Sequence, residues 1–296
     1  MIDHRIETFL TLCDTLNYTK TAKKLCITQP AVSQHIKYLE NYYDTELFHY
    51  EGKQLSLTEK GKELQNYASV LRNNATRIHE KLHKDGSKEK RIRIGATKSI
   101  GDFVLPKAIV EFMKKEPDYL IEIASMNTKN LLKNIDNGSI DLAIVEGAFD
   151  RTGYECKVLK EEPFICVASS SLIKEEVKTL EDLFQYCLIV RERGSGTRSI
   201  LEQYLHARSH DINDFHRYVQ IDHFMTIKAL IEAGLGISFL YHMVVEEEIN
   251  RGTMIQIPFP GEPIYRPLHY VYGKDSLFKE KCEEFIDIFQ KCLNLK

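Results

Sequence analysis

The stretch NYTKTAKKLCITQPAVSQHIKYL, residues 17–39, predicts two short helices joined by a tight turn. Asn17 can cap the first helix, because its side-chain oxygen can accept hydrogen bonds from free backbone N–H groups. Thr28 can cap the second helix, and Pro30 falls in its first turn, where a missing N–H costs nothing. This is the layout of a helix-turn-helix.

The second predicted helix has two distinct faces. Val32, Ile36 and Leu39 recur at spacings of four and three, which predicts one buried apolar stripe. The opposite face is polar, and glutamine, serine and lysine there can reach base edges and phosphates in a DNA major groove. An ordinary amphipathic hairpin of helices with a solvated polar face is the alternative. The candidate DNA-contacting residues are Thr28, Gln29, Pro30, Ser33, Gln34, Lys37 and, from the hairpin described next, Lys53.

The segments on either side of the motif extend it. Upstream, an apolar stripe predicts a first helix that backs the other two, so that three helices enclose a small core. Downstream, residues 46–58 predict a hairpin that turns at Gly52, with Lys53 at its tip. Such a hairpin would be a wing beside the DNA backbone. The upstream stripe consists of Ile6, Phe9, Leu10, Cys13 and Leu16.

A long helix follows the wing. Thr58 can cap it, and its apolar positions follow a heptad pattern, which predicts a seam for a partner helix. Packing on its own domain is the alternative, but the polar segment at 84–90 favours a dimerising linker, and a dimer would read an inverted repeat. The heptad positions are Leu64, Ala68, Leu71, Ala75, Ile78 and Leu82.

From residue 91 onward, short apolar strands alternate with amphipathic helices, which indicates an α/β fold with mainly parallel sheets. The predicted strands are 91–96, 120–125, 141–145, 164–168, 188–191, 218–221, 237–241, 254–258 and 268–272. The predicted helices are 103–115, 128–137, 180–184, 199–207, 224–233, 243–250 and 276–292.

Polar residues follow several of these strands. In open α/β sheets, ligands bind beyond the carboxyl ends of strands, where helix N-termini present free N–H groups. Hydroxyls, an amide and a cation can hold a small carboxylate or oxyanion there. Each residue could instead merely cap its helix, but the convergence of four strand ends favours a pocket. The candidates are Thr97, Lys98, Ser99, Asn127, Thr128, Arg191, Gly194, Thr197 and Thr226.

Composition sets broad limits. The 296 residues leave room for more than one domain, and 43% hydrophobic residues is ordinary for a globular protein. No apolar run reaches spanning length and the N-terminus lacks the core of a signal peptide, so we expect a cytoplasmic protein without membrane contact. The net charge of −3 divides into +2 for residues 1–90 and −5 for 91–296, too small an asymmetry to indicate DNA by itself.

Residues 1 to about 61 resemble the winged helix-turn-helix of LysR-type transcriptional regulators. The family's run A-A-x-x-L-x-x-(S/T)-Q-P-A-(V/L)-S corresponds to TAKKLCITQPAVS at 21–33, and its L-T-x-x-G close corresponds to LTEKG at 57–61. Two positions depart from the pattern. Gln34 and the pair His49-Tyr50 stand where the family often has arginine, which predicts weaker phosphate attraction and leaves the preferred bases open.

The resemblance extends over essentially the full chain. RERGSGTR at 191–198 resembles the family's R-E-x-G-S-G-T-R run, and EAGLGI at 232–237 resembles its A-G-x-G-I segment. It implies an effector domain of two subdomains, related to periplasmic binding proteins, with a ligand cleft between them. Six of the candidates above are implied as cleft residues, namely Thr97, Ser99, Asn127, Thr128, Gly194 and Thr197.

The expected fold class is therefore multidomain α+β. We expect a winged helix-turn-helix at 1–58, a linker helix and hinge at 59–90, and a periplasmic-binding-protein-like domain at 91–296. By the family's architecture, one subdomain would comprise about 91–159 and 268–296, and the other about 160–267.

The predicted function is that of a DNA-binding transcriptional regulator, controlled by a small and anionic effector. The expected partners are double-stranded operator DNA with an inverted repeat, the effector, RNA polymerase, and further copies of the chain as a homodimer to homotetramer. No cofactor and no catalysis are expected. The turn GSGT at 194–197 lacks the lysine of a P-loop and the third glycine of a dinucleotide fingerprint, and Ser195 is not in a nucleophile elbow.

Other readings are weaker. A transport-type solute binder would need an export signal and would not explain the first ninety residues. His79 and His83 could ligate zinc, but no constellation completes a site, so a solvated helix face is expected, as it is for Glu246-Glu247-Glu248. The seven cysteines include no C-x-x-C pair, and reduced thiols are expected, since nothing between Cys187 and Cys282 supplies an oxidant-sensing pair.

Overall fold

The computed structural model describes residues 3–52, 54–83, 90–173, 175–258, 263–274, 276 and 278–293. The chain divides into two compact units. One comprises 1–88 with 133–139, and the other comprises 89–132 and 140–296. Among the described residues, no helix has the length and apolarity needed to cross a bilayer.

The first unit contains the predicted helices and hairpin. Asn17 caps the second helix by accepting a 2.9 Å hydrogen bond from the Lys20 N–H, and Thr28 caps the third by accepting one of 3.3 Å from the Ala31 N–H. Both caps were predicted and are confirmed. The elements are α1 (His4–Thr15), α2 (Tyr18–Lys24), α3 (Gln29–Tyr43), β1 (Phe48–Glu51), β2 (Gln54–Leu57) and α4 (Glu59–His83).

The core of this unit follows the predicted stripes with one exception. Val32, Ile36 and Leu39 of α3 are buried, as predicted. Leu16 is 44% exposed, however, so its assignment to the buried stripe of α1 was wrong. The helix ends at Leu16 in the left-handed conformation (φ 46°), which turns its side chain away from the stripe, whereas Leu12 is fully buried.

The apolar side chains of helix α4 are not all buried. Thr58 caps it by accepting a 2.9 Å hydrogen bond from the Gly61 N–H, as predicted. Ala68 is buried in the core of the unit, yet Leu71 and Ile78 of the same heptad pattern are 60% and 50% exposed. At Leu71 and Ile78 the seam is therefore apolar and solvent-facing. The side chains of Leu82, His79 and His83 lie outside the described part of the helix.

The second unit contains the predicted alternation of strands and helices. Its strands are β3 (Lys90–Ala96), β4 (Tyr119–Ser125), β5 (Leu142–Glu146), β6 (Tyr154–Ser169), β7 (Cys187–Val190), β8 (Arg217–Gln220), β9 (Ser238–Tyr241), β10 (Met254–Ile257) and β11 (Ile264–Gly273). Its α-helices are α5 (Lys98–Phe103), α6 (Leu105–Lys115), α7 (Thr128–Asp136), α8 (Gly196–His206), α9 (Phe224–Glu232), α10 (His242–Arg251) and α11 (Lys279–Cys292), of which α7 belongs to this unit up to residue 132 and to the first unit from residue 133.

Strand direction differs from the prediction. The main sheet has the order β10-β6-β11-β5-β3-β4, with β9 also paired to β6, and β7 pairs with β8. Among the described strands, the ladders β3–β4, β3–β5 and β7–β8 are parallel. The ladders of β6 and β11 are antiparallel, so the expectation of mainly parallel sheets was wrong.

Two strands are longer than the sequence indicated. The prediction for β6 began at Phe164, but the strand begins at Tyr154, since its first half is a ribbon with outward charged side chains and lacks a continuous apolar run. Likewise β11 begins at Ile264 and passes through Pro267. These two strands pair with each other over ten positions, from Ile264 opposite Phe164 to Gly273 opposite Tyr154.

Helix α10 contains a further correction. Glu246 and Glu247 are exposed, but Glu248 is 4% exposed and forms a 2.7 Å ion pair with Lys228, also buried, and one of 2.8 Å with Arg251. The predicted solvated face of three glutamates was therefore wrong for Glu248. Lys228 and Arg251 therefore both pair with this buried carboxylate.

Candidate nucleic-acid interface and ligand cavity

The predicted reading face of α3 is open to solvent. Gln29, Gln34 and Lys37 are exposed, and Ser33 is half-buried. The Gln29 side-chain amide donates a 3.1 Å hydrogen bond to the Ser33 hydroxyl, so the two side chains of the first turn are held together. Pro30 and Thr28 are exposed at the same end of the helix. Lys53 lies outside the described residues.

The wing has His49 and Tyr50 at positions where the family often has arginine. His49 Nε2 lies 3.0 Å from Glu51 Oε1 and 3.3 Å from the Ser56 hydroxyl. Tyr50 is 64% exposed. These side chains supply no fixed positive charge, and Glu51 is a further acidic residue of the same strand. The weaker phosphate attraction predicted from the sequence stays a prediction.

A cavity of about 890 Å³ lies in the second unit at the ends of several strands. It is bordered by the segments that follow β3, β4 and β5, by the turn before α8, and by β11. Seven of the nine candidate residues line it: Thr97, Lys98, Ser99, Asn127, Thr128, Arg191 and Gly194.

The other two candidates lie apart from the lining. Thr197 is in the first turn of α8, 2% exposed, behind the lining residue Gly196. Thr226 is exposed on α9. Thr197 is therefore adjacent to the cavity wall in sequence, whereas the placement of Thr226 gives its predicted role no support.

Local chain geometry explains the lining at two helix starts. Asn127 caps α7 by accepting a 2.9 Å hydrogen bond from the Asn130 N–H. Gly194 has a φ of +87°, in the left-handed region that glycine adopts without strain, and this turn directs the chain into α8. The first-turn N–H groups of α8 have no intrahelical acceptor, which makes that end electropositive.

Arg191 lines the cavity and is paired with Glu192. Its guanidinium donates two hydrogen bonds to the neighbouring Glu192 carboxylate, of 2.7 and 2.9 Å, and lies 4.1 Å from the centre of the Phe224 ring. Its side chain is buried. Lys98 is nearer to solvent and donates a 3.3 Å hydrogen bond to the Asp222 carbonyl. Both predicted cations therefore line the cavity, and each already donates hydrogen bonds to other protein groups.

Glu146 is a cavity residue that the sequence reasoning missed. It ends β5, is 4% exposed, and accepts a 2.9 Å hydrogen bond from the Ser99 hydroxyl at Oε1. Burial raises the pKa of this carboxyl to about 7, against the lowering effects of Ser99 and Arg191. The rule that ligands bind beyond the carboxyl ends of strands would have identified it, because Glu146 follows a predicted strand directly.

Further missed residues come from the antiparallel part of the sheet. Arg266 and His269 of β11 line the cavity, as does Arg151 before β6. An Arg151 guanidinium nitrogen lies 2.9 Å from His269 Nε2, and burial, followed by the Arg151 charge, lowers the pKa of this histidine. A neutral ring can accept that hydrogen bond. No sequence signal identified these residues, since they lie at no predicted carboxyl end of a parallel strand.

Buried hydroxyl groups lie at this site. The Thr97 hydroxyl acts on the Glu146 carboxylate as a hydrogen-bond donor, and the Thr197 hydroxyl has no partner among the described residues. Buried hydrogen-bonding groups are normally satisfied, by protein, water or ligand. The arrangement can therefore bind a small polar molecule through hydroxyl donors and cations. In the described part of the chain, no cluster of three His, Cys, Asp or Glu side chains is arranged to hold a metal.

Comparison with known proteins agrees with both halves of this description. Residues 4–62 match the model of the bacterial regulatory helix-turn-helix protein, lysR family, and residues 85–293 match that of the LysR substrate binding domain. The uncharacterized HTH-type transcriptional regulator YeiE of Escherichia coli K12 is 28% identical over 284 residues, covering 96% of this chain and 95% of its own.

Solved structures share the fold. ArgP from Mycobacterium tuberculosis matches with a TM-score of 0.74 at 16% identity, over 99% of this chain and 97% of its own. The regulatory domain of Synechocystis CcmR, in complex with 2-PG, matches with a TM-score of 0.60 at 21% identity, over 68% of this chain and 96% of its own. The chain therefore belongs to the LysR family of transcriptional regulators, with a DNA-binding helix-turn-helix and an effector-binding domain.

Proposed function

We propose that this regulator binds inverted-repeat operators as a homodimer or homotetramer, and that a small anion in the cavity of its effector domain changes this binding and the recruitment of RNA polymerase. The proposed domains are 1–58 for DNA binding, 59–90 for the linker and 91–296 for the effector. The two compact units and the two matched segments support this division.

The proposal of an anionic effector rests on one observation, which is the excess of basic over acidic side chains in the cavity wall. Of its described lining residues, six are lysine or arginine and two are glutamate, and one of these, Glu192, is already paired with Arg191. The hydroxyl of Thr97, at the wall, and that of Thr197, beside it and without a partner among the described residues, add donors. An anion is the ligand that such a wall stabilises best. The related fold of CcmR holds 2-PG, which supports a small ligand in this domain.

Exposed apolar side chains support self-association. On α4, Tyr67, Leu71 and Ile78 are each at least half exposed. On β4, at one end of the sheet order, Leu120 and Ile123 are 40% and 45% exposed. Helix α4 and strand β4 are different surfaces, and two self-complementary surfaces in one chain suffice to build a tetramer.

The ligand can act on DNA only if it binds one quaternary arrangement better than another. Couplings of this kind typically amount to about 1 to 3 kcal/mol, which changes operator affinity by roughly 5- to 150-fold. Helix α4 joins the matched DNA-binding segment to the effector domain in sequence, so it is the proposed route of this coupling.

The test is a footprint. Operators would be selected from genomic fragments with the full-length protein, and each footprint would be repeated with a panel of small organic acids and inorganic anions. Thr97→Val, which removes a hydroxyl at the cavity wall, should abolish the ligand response. The matched control Thr226→Val, on an exposed threonine outside the lining, should retain it. A footprint that no acid alters, or a response that survives in Thr97→Val, contradicts the proposal.

A further inference from the structure

Arg151 lines the effector cavity and is held in place by a buried histidine. A guanidinium nitrogen of Arg151 lies 2.9 Å from Nε2 of His269, which is 1% exposed. Burial, followed by the Arg151 charge, lowers the pKa of His269, so its ring is neutral at about pH 8. The backbone of Pro267 also hydrogen-bonds the ring, and since proline has no N–H, its carbonyl accepts from the other ring nitrogen. Nε2 is therefore left to accept from Arg151.

The loop that carries Arg151 is fixed as well. The Arg151 carbonyl accepts a 3.1 Å hydrogen bond from the Tyr154 N–H. The Gly153 carbonyl accepts one of 3.0 Å from the N–H of Lys274, the residue after β11. Backbone and side chain are thus both held before a ligand arrives, which limits the entropy cost of binding to this arginine.

Arg151 forms no ion pair with a carboxylate in the part of the chain that the structure describes. A neutral imidazole leaves the guanidinium charge uncompensated, and the neighbouring Asp150 accepts a 2.9 Å hydrogen bond from the Thr152 N–H instead. Arg151 is exposed at the cavity, and a guanidinium has several N–H donors, so some remain for a ligand. These donors suit an acidic group, which arginine can bind through two parallel hydrogen bonds.

The predicted ligand residues Asn127 and Thr128 lie at the other end of the row of strands. They follow β4, whereas His269 belongs to β11, and the strands β3 and β5 lie between. Neighbouring strands are about 4.8 Å apart, so three spacings put β4 and β11 roughly 14 Å apart. A ligand that contacts both ends must therefore be elongated. The positions paired across this row are Ser125, Ala96, Ile144 and Tyr270, in that order.

A carboxylate lies between the two ends. Glu146 ends β5, the strand between β3 and β11, and lines the cavity. Burial raises the pKa of this carboxyl to about 7, so it is ionised at about pH 8. Lys98, after β3, and Arg151, beside β11, are the cations on its two sides. The wall is thus basic, acidic and basic in turn, which favours a ligand with acidic ends and a neutral centre.

We propose that the effector carries an acidic group, carboxylate or phosphate, at each end of a short neutral chain, and that Arg151, positioned by His269, binds one of these groups. The residues that follow β3 and β4, with Lys98 as the cation, bind the other. This inference rests on the proposed function, since it names the ligand class of the same cavity and a residue that selects it.

The experiment is calorimetric titration of the full-length protein at about pH 8 with a series of dicarboxylates of increasing length: malonate, succinate, glutarate and adipate. The matched monoacid is glutaramate, in which an amide replaces one carboxylate of glutarate. Wild type should bind the longest members at least about tenfold more tightly than malonate or glutaramate, since a hydrogen bond to a charged group contributes about that factor. Comparison of glutarate with 3-phosphonopropionate decides whether the second group is a carboxylate or a phosphate.

The variants separate Arg151 from a general effect of charge. Arg151→Gln should bring glutarate and glutaramate to within about threefold of each other, since the second acidic group loses its partner. His269→Leu should have the same effect, whereas His269→Gln, which keeps an acceptor, should restore the preference. The matched control Arg217→Gln removes an exposed arginine of β8, outside the cavity lining, and should retain the preference.

The inference is overturned if wild type binds glutarate and glutaramate equally, if Arg151→Gln keeps the preference, if Arg217→Gln loses it as well, or if no member of the series binds. These failures are separate from failure of the proposed function. A footprint that responds only to monoacids would leave the effector cavity standing. A dicarboxylate preference without any footprint response would leave Arg151 assigned and the regulatory proposal wrong.

Discussion

The Ser99 hydroxyl donates a 2.9 Å hydrogen bond to Oε1 of Glu146. Ser99 follows β3, and Glu146 ends β5, its parallel neighbour. The two strands therefore bring a donor and a buried carboxylate together at the carboxyl edge of the sheet, where ligands of α/β proteins bind. This contact fixes the direction of the glutamate at the cavity wall.

The raised pKa of Glu146 predicts a pH dependence of stability. The carboxyl moves from an ordinary pKa of 4.5 to about 7 on folding, so the folded state holds the proton more tightly. This stabilises the fold fully below about pH 4.5, and the contribution is lost as the pH rises to about 7. Relative to Glu146→Gln, wild type should lose roughly 2 to 3 kcal/mol of unfolding free energy between pH 5 and 8.

Urea unfolding at both pH values measures this difference. Glu192→Gln serves as the control, because its carboxylate is paired with Arg191 and is less buried. Parallel stability profiles for wild type and Glu146→Gln would show that Glu146 titrates normally in the folded protein.

The two faces of α3 should respond differently to mutation. Ile36 is 2% exposed in the core of the first unit, so Ile36→Ala should destabilise that unit by about 2 to 5 kcal/mol. Gln34 is exposed, and Gln34→Ala should leave stability within about 0.5 kcal/mol. Hydrogen exchange of the α3 amides in the full chain distinguishes them. Equal protection in both variants would refute the assignment of the buried face.

Two exposed side chains of the same helix should affect DNA binding in different ways. Gln29→Ala should reduce discrimination between operator and non-specific DNA, because an amide can read an adenine edge. Lys37→Ala should weaken binding to all sequences and reduce the slope of log affinity against log salt by about 1. Titrations on both DNAs at several salt concentrations measure these effects. Wild-type behaviour of both variants would remove these residues from the interface.

Self-association through α4 is tested by adding a charge to its apolar seam. Leu71 is 60% exposed in the heptad pattern, so Leu71→Glu should lower the oligomeric state measured by sedimentation. Thr76→Glu changes an exposed residue of the same helix outside that pattern and should leave the oligomer intact. Identical sedimentation of Leu71→Glu and wild type would place the dimer contact elsewhere.

Features determined by neighbouring residues could be predicted from the sequence, and features determined by pairing of distant strands could not. The caps at Asn17 and Thr28 depend on the next three residues, and both were predicted. The first half of β6 is stabilised by β11, more than a hundred residues later, and its charged sequence carries no strand pattern of its own.

The residues that line the ligand cavity likewise fall into those that the sequence predicted and those that it did not. The residues that follow parallel strands, such as Thr97 and Asn127, were predicted to line it. His269 reaches the cavity from an antiparallel strand, which no local pattern indicated. Glu146 was overlooked although it follows a predicted strand, because a carboxylate is not an expected component of an anion site. Its burial and its contact with Ser99 are visible only in the structure.

If the effector cavity and the DNA face are coupled, each ligand must change the affinity for the other by the same factor. A screen of small organic acids and inorganic anions would first identify the acid that raises the melting temperature of the full-length protein most. The affinity for this acid would then be measured for the free protein and for the protein saturated with operator. We predict that the two affinities differ by about 5- to 150-fold, and that the acid changes operator affinity by the same factor. Equal affinities for the acid in the free and operator-bound protein would show that the cavity and the DNA face are not coupled.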